Sequence, residues 1–310
     1  MKIGRYDDGK GGEHLGVVLE QAGQLSVLDL QAAARVKGTD LSLVRDMDAF
    51  IDAGARSLQL GYELIEWAQR AGDDRFFTLE TQVPWLIPVK VRNCMAGGRN
   101  FAAHRAETLE YWTKQGAKLH SEIPMGFIKL ASSMVPTRST VQRPENCAWF
   151  DYEIEPTAVI GSSVEKVKEV DALKAIFGYT ILNDLSAREM QRKEMANQSI
   201  LLGKNYPGLG PLGPWILTAD EMPDPAKLEM VLTVNGEERQ KTTCEHMIFS
   251  FAALVSHWSR LGLARGDLIT VGSPEGVAIG RPDPLPFYLQ SGDVVRADVK
   301  QIGVLETFIA

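Results

Sequence analysis

Three acids alternate with apolar side chains over residues 150 to 155, FDYEIE. In an extended chain side chains at i, i+2 and i+4 share a face. Asp151, Glu153 and Glu155 are therefore expected on one side, and Phe150, Tyr152 and Ile154 on the other. Two like charges ~4 Å apart repel by about 1 kcal/mol in water and about 4 kcal/mol at an effective dielectric near 20. Solvated, such a face costs little; sheltered, it needs a cation or altered protonation. A half-buried strand with its acidic side in water is the plain alternative.

A second acidic position follows in IFGYTILND, an apolar strand-like run that ends in Asn183-Asp184. The next residues, LSAREMQRKE, are good helix formers with Ser186 as a candidate cap. On such a helix Asp184, Arg188 and Gln191 fall at i, i+4 and i+7 and share a face, which also suits a solvated helix with an Asp–Arg pair. If Glu153, Glu155 and Asp184 converge, they form an oxygen-only donor set. Zinc would draw His or Cys, and neither lies nearby in suitable spacing. Three carboxylates with room for waters suit Mg²⁺ or Mn²⁺, and Ca²⁺ can take their place in crystals. A third cluster is AGGRNFAAHRAE, residues 96 to 107. With Asn100 as a cap, a short helix would bring His104 and Glu107 together at i and i+3. An imidazole beside a carboxylate makes a base that works near neutral pH, although a surface helix can also bring such a pair together by chance.

The elements that must carry these residues can be read from periodicity. Residues 16–20 and 25–30 read as strands around Ala22-Gly23, and residues 43–72 as two helices. Residues 73–90 carry two prolines and read as a linker, so a division is expected near residue 85, into 1–85 and 86–310. Beyond it, strand-like runs appear at 158–160, 176–182, 215–218, 228–234, 268–271 and 294–299, separated by turns such as Asn235-Gly236. Helical stretches follow Asp184 and span about 246–261, with Phe249, Leu254 and Trp258 on one stripe. The fold class expected is α+β, mainly β.

At 310 residues with 45% apolar side chains, the chain can bury a sizeable core. No apolar run reaches the ~18 residues of a membrane helix, and the N-terminus lacks a signal-like run, so a cytoplasmic protein without membrane contact is expected. Cys94, Cys147 and Cys244 are widely spaced and read as buried thiols. A net charge of −7 without a Lys/Arg cluster argues against nucleic acid as a partner.

The motifs taken in order resemble the fumarylacetoacetate hydrolase superfamily over residues 90 to 310. They are GGRNFAAHRAE, DYEIEPTAVIG, GYTILNDLSAREMQ, GKNYPGLGPLGPW, VNGEERQ and GSPEGV. The resemblance implies a mixed β-sandwich/β-roll catalytic domain behind a small, variable N-terminal α/β domain, and a homodimer. It implies Glu153, Glu155 and Asp184 as metal ligands, and His104 and Glu107 as a water-activating dyad on a segment that closes over ligand. Lys204 would assist the chemistry, while Arg188, Gln191 and Ser273 would line the substrate site. Ser273 stands where the family usually has Thr, and a hydroxyl is kept. Pro156 departs from the usual apolar residue, and its missing N–H suggests an edge or a bulge. Lys129 matches a family lysine, and Asp151 is expected behind the ligands or in solvent. Tyr111, Trp112 and Leu119 would supply the apolar face of the closing segment. The implied activity is hydrolysis of a C–C bond in a small β-diketo acid of acylpyruvate or fumarylpyruvate type. Decarboxylation, isomerisation or dehydration of a 2-oxo acid on the same scaffold is the alternative, and a non-catalytic chain with a structural Ca²⁺ site is the reading from another class.

Overall fold

The computed structural model describes residues 1–21, 23–109, 113 and 122–310. Tyr111, Trp112 and Leu119 lie outside the described residues. Glu13–Gln21 and Gln24–Asp29 form the first hairpin, and Lys2–Asp7 pairs with its outer strand. Lys2 also faces Leu217, so these strands continue into Gly210–Thr218, Ile176–Asn183, Ile154–Ile160, Leu268–Thr270, Cys94–Gly98 and finally Met125–Lys129. The change of texture at residue 85 therefore does not coincide with a sheet boundary. Met47–Ala53 and Ala55–Ala71 are the two expected helices; Gly54, at φ 55°, ends the first and starts the second.

The central strands are buried on both faces, as strands covered by two layers must be. Their period of two divides them between two cores. Val159, Leu182 and Ile216 face the layer built from Ile3, Leu28, Phe50 and Leu64. Ala158, Ile181, Trp215 and Leu217 face the other, which is closed by a second sheet and by the helix Phe251–Trp258. That sheet runs in the order Glu237–Thr243, Glu229–Val234, Val294–Val299, Gly303–Ile309 and Ser139–Val141. Met230, Leu232 and Val234 alternate inward, and Asn235-Gly236, both at positive φ, make the tight turn into the next strand. The class is mixed helix and strand with large sheets, in agreement with expectation. Among the described residues no helix is long and apolar enough to cross a membrane. All three cysteines are buried and unpaired.

Two local expectations give way. The strand Ile154–Ile160 is paired on both sides, so Pro156 is neither at an edge nor at the bulge, which falls between Val159 and Ile160. Pro156 precedes Thr157, the first residue paired with Leu268–Thr270, and its carbonyl accepts from Val271 N–H. The helix after Asp184 starts only at Arg188, because Ser186 and Ala187 remain extended to pair with Asp151 and Phe150. Ser186 is therefore no cap; its hydroxyl donates to the Asp184 carbonyl instead.

Candidate active site

The acidic stretch is not one continuous strand. Phe150–Asp151 and Ile154–Ile160 are separate, and the chain breaks from its ladder between them. Asn183 fills the break: its Oδ1 accepts from Glu153 N–H at 3.0 Å, while Asp184 N–H donates to the Glu153 carbonyl at 2.8 Å. Gln240 Oε1 accepts from Ile154 N–H at 3.0 Å. These bonds bring Glu153, Glu155 and Asp184 together, with one carboxylate oxygen of each within 4.8 Å of the others. All three are buried, and so is Asp151, so no acidic face meets water.

Cations hold the acids. Arg188 donates from Nε to Asp151 at 2.8 Å, from Nη2 to Glu153 at 2.6 Å and from Nη1 to Gln191 at 2.9 Å. Lys204 Nζ stands 2.5 Å from Glu153 Oε2 and 2.6 Å from Asp184 Oδ2. Lys129, fully buried, lies 2.8 Å from Asp184 Oδ1 and donates to the carbonyls of Lys204 and Leu209 at 2.5 and 2.7 Å. The Asp184 Oδ1 contact is an ion pair without the alignment of a hydrogen bond. Burial by itself would raise the Glu153 carboxyl, but Arg188 and Lys204 outweigh it and pull it down to about 2. The Lys204 ammonium is opposed by burial yet held charged by Asp184 and Glu153. Glu155 has no ion pair among the described residues. Its Oε2 accepts from the Thr270 hydroxyl and from Gly272 N–H, and burial together with Asp184 and Glu153 pushes its carboxyl well up.

The dyad stands as its spacing predicts. The helix Ala102–Glu107 places His104 Nδ1 2.8 Å from Glu107 Oε1, and Glu107 Oε2 accepts from Gly276 N–H at 2.9 Å. Gly280 lies close behind it: a Cβ there would come within 2.7 Å of the Glu107 carboxyl carbon, so a side chain at 280 would displace that carboxylate. Asn100 does not cap the helix, which starts from Phe101 without a side-chain cap. Its amide instead clasps the Phe249 backbone, with bonds of 2.8 and 2.9 Å. Ser273 accepts from Gln240 Nε2 at 2.8 Å, so one glutamine ties the serine segment to the strand of the acids. His104, Glu153, Glu155, Arg188, Gln191, Lys204 and Ser273 line one cleft. Met125, Phe127, Met195 and Ile200 form its apolar wall. Asp184 lies behind this lining, in contact with both lysines.

Among the described residues, His104, Glu153, Glu155, Arg188, Gln191, Lys204 and Ser273 thus lie at this cleft, and Asp184 and Glu107 directly behind it. Asp151, left open between two roles, is buried against Arg188. Gln240 closes the VNGEERQ motif, which by itself assigns it no role, and Thr270 carries no distinguishing pattern. In Met125–Lys129 a strand's alternation puts Met125, Phe127 and Lys129 on the cleft side, a period-two signal in the sequence itself.

The donor set fits a divalent cation. It is oxygen-only, as Mg²⁺ and Mn²⁺ prefer, and Glu155 is a buried carboxyl raised by two neighbouring carboxylates, which a further positive charge would relieve. Comparison with known proteins points the same way. The family described as fumarylacetoacetate (FAA) hydrolase, C-terminal, matches residues 93–310. A mitochondrial oxaloacetate tautomerase of Xenopus laevis is 30% identical over 293 residues, 94% of this chain and 84% of that protein. The fumarylacetoacetate hydrolase of Exiguobacterium antarcticum superposes with a TM-score of 0.75 at 29% identity, covering 100% of this chain and 99% of that one. The maleylpyruvate hydrolase of Sphingobium sp. SYK-6, solved with manganese(II) and pyruvate, superposes at 0.73 with 25% identity and the same coverage.

Proposed function

The chain belongs to the fumarylacetoacetate hydrolase family, and we propose that within it the protein is a divalent-metal-dependent hydrolase of a C–C bond in β-diketo acids of acylpyruvate type. One observation carries the reading: Glu153, Glu155 and His104 line the same cleft, with Asp184 and Glu107 directly behind them. Glu153, Glu155 and Asp184 would hold the ion, magnesium or manganese. A divalent ion there supplies a Lewis acid that draws charge from the oxygens of the 2-oxo acid end.

The chain's own residues do the rest. Arg188 and Gln191 hold the carboxylate end of the substrate, and the Ser273 hydroxyl offers a further donor. His104 Nε2, with Nδ1 fixed by Glu107, takes a proton from water, and the resulting hydroxide attacks the distal carbonyl. Lys204, charged and facing the cleft, stabilises the oxyanion. The C–C bond then breaks, and the electron pair leaves with the pyruvyl fragment as an enolate that protonates to pyruvate. The apolar wall of Met125, Phe127, Met195 and Ile200 receives the acyl group and keeps bulk water away.

A second reading, keto–enol isomerisation of a 2-oxo diacid, is favoured by the tautomerase relative. It would use His104 to move a proton between carbon and oxygen without attack by water. The experiment separates them: a panel of acylpyruvates and oxaloacetate is incubated with protein and Mg²⁺, following both enol absorbance and pyruvate. Loss of enol absorbance from an acylpyruvate with stoichiometric pyruvate is the expected result. Loss of oxaloacetate enol alone, without pyruvate, selects the isomerase, and no change across the panel refutes both.

A further inference from the structure

Asp151 is fully buried and makes four hydrogen bonds. Oδ2 accepts from Arg188 Nε at 2.8 Å and from Ile279 N–H at 3.1 Å. Oδ1 accepts from Ala278 N–H at 2.8 Å and from Tyr152 N–H at 2.9 Å. This one carboxylate therefore joins two parts of the cleft that are far apart in sequence. One is the guanidinium whose Nη1 and Nη2 reach Gln191 and Glu153. The other is the segment 276–280, whose Gly276 N–H binds Glu107 Oε2 and whose Gly280 backs the Glu107 side chain.

The chemistry of the contacts requires an anion here. All four groups that meet Asp151 are N–H donors, one of them cationic. A carboxylate accepts at both oxygens; an amide of the same size would turn an NH₂ toward two of those donors. The guanidinium is planar, so fixing Nε at Asp151 and Nη2 at Glu153 fixes the direction of Nη1 as well.

We propose that Asp151 is a positioning residue, which sets the orientation of Arg188 for the substrate carboxylate and ties it to the loop that seats Glu107. The proposal rests on the reading of Arg188 as a substrate-binding group. Asp151 touches neither substrate nor the reacting water; it acts through Arg188 and through the backbone of residues 278 and 279.

The test is oxalate binding to the Mn²⁺-loaded protein by calorimetry, in wild type, Asp151→Asn, Arg188→Gln and the double variant. Positioning through Arg188 predicts that Asp151→Asn weakens oxalate at least tenfold in the wild-type background and less than threefold in the Arg188→Gln background. A structural role alone lowers stability and leaves oxalate affinity unchanged, or gives equal losses in both backgrounds; either result overturns the proposal. If wild type itself binds no oxalate, the reading of the cleft as a 2-oxo acid site fails and takes this proposal with it. That outcome differs from binding with additive losses, which removes Asp151 alone. Should Asp151→Asn not fold, Asp151→Glu takes its place in the same comparison: wild-type oxalate affinity overturns the proposal, and a tenfold loss that shrinks below threefold in the Arg188→Gln background supports it.

Discussion

Replacing Lys129 by methionine asks how much of the protein's stability hangs on this buried ionic cluster. Methionine keeps the length of the side chain and removes its ammonium. Three acceptors then lose their partner: the Asp184 carboxylate and the carbonyls of Lys204 and Leu209. Removing one member of a buried ion pair costs about 3–5 kcal/mol, and each buried carbonyl without a donor about 1–3 kcal/mol more. Two effects pull the total back. Lys204 still meets Asp184 through Oδ2, and the new side chain is cheaper to bury than an ammonium. A net loss of about 3–5 kcal/mol is the result. With ~2.1 cal/mol/K of unfolding entropy per residue over 310 residues, that loss lowers Tm by roughly 5–8 °C. Urea unfolding of the chelated protein gives the free energy directly, and a constant slope against urea would show that only stability changed. Adding Asp184→Asn removes the stranded charge, so the double variant should recover at least about 1 kcal/mol relative to Lys129→Met alone. A loss under about 1 kcal/mol for Lys129→Met, or strictly additive losses in the pair, would refute the claim that this lysine neutralises Asp184.

Glu153→Ala should abolish Mn²⁺ binding and turnover together; calorimetry on the variant checks it, and tight Mn²⁺ binding would end the metal reading. His104→Ala should retain Mn²⁺ but lose hydrolysis by on the order of 10² to 10⁴, read as kcat on the best acylpyruvate. Glu155 gives a pH signature in chelated protein. Its folded-state carboxyl lies above the usual 4.5, so its contribution to stability is complete below that value and is lost as pH rises through the folded value. Stability profiles of wild type and Glu155→Gln should accordingly diverge as pH rises above about 4.5, with the wild type falling; parallel profiles would contradict the shift.

The dyad was legible because it is local. An i, i+3 spacing on a helix fixes a contact whatever the rest of the fold does, and His104 meets Glu107 as expected. Glu153 and Glu155 were legible from the alternation of acids, although Glu153 itself falls in the break between two strands rather than within one. Asp184 was different. Its arrival beside them depends on Asn183 replacing a lost rung of the ladder, a side-chain-to-backbone bond across thirty positions that no periodicity encodes. The misplaced helix start has a second non-local cause. Residues 184–187 have helical composition, but pairing with Phe150–Asp151 holds Ser186 and Ala187 extended, and tertiary context overrides propensity.

Burial of the acids was the part composition could least reveal. A row of alternating acids is cheap in water and costly inside, so the half-solvated strand was the natural alternative. The cations that reverse this come from Arg188, Lys204 and Lys129, between 20 and 55 residues from the acids they meet. Arg188 starts the helix Arg188–Met195, Lys204 sits in the short helix Leu202–Asn205, and Lys129 ends the edge strand Met125–Lys129. The lysine on that edge strand illustrates the point. Alternation puts Lys129 on the same side as Met125 and Phe127, where an apolar residue would be expected. A lone lysine on the inward face of a strand is uncompensated as local chemistry, and so requires an acid from elsewhere in the fold. Asp151, Glu153 and Asp184 on one side and Arg188, Lys204 and Lys129 on the other are in this sense each other's explanation. Removing any one cation should therefore expose a carboxylate rather than simply empty a space.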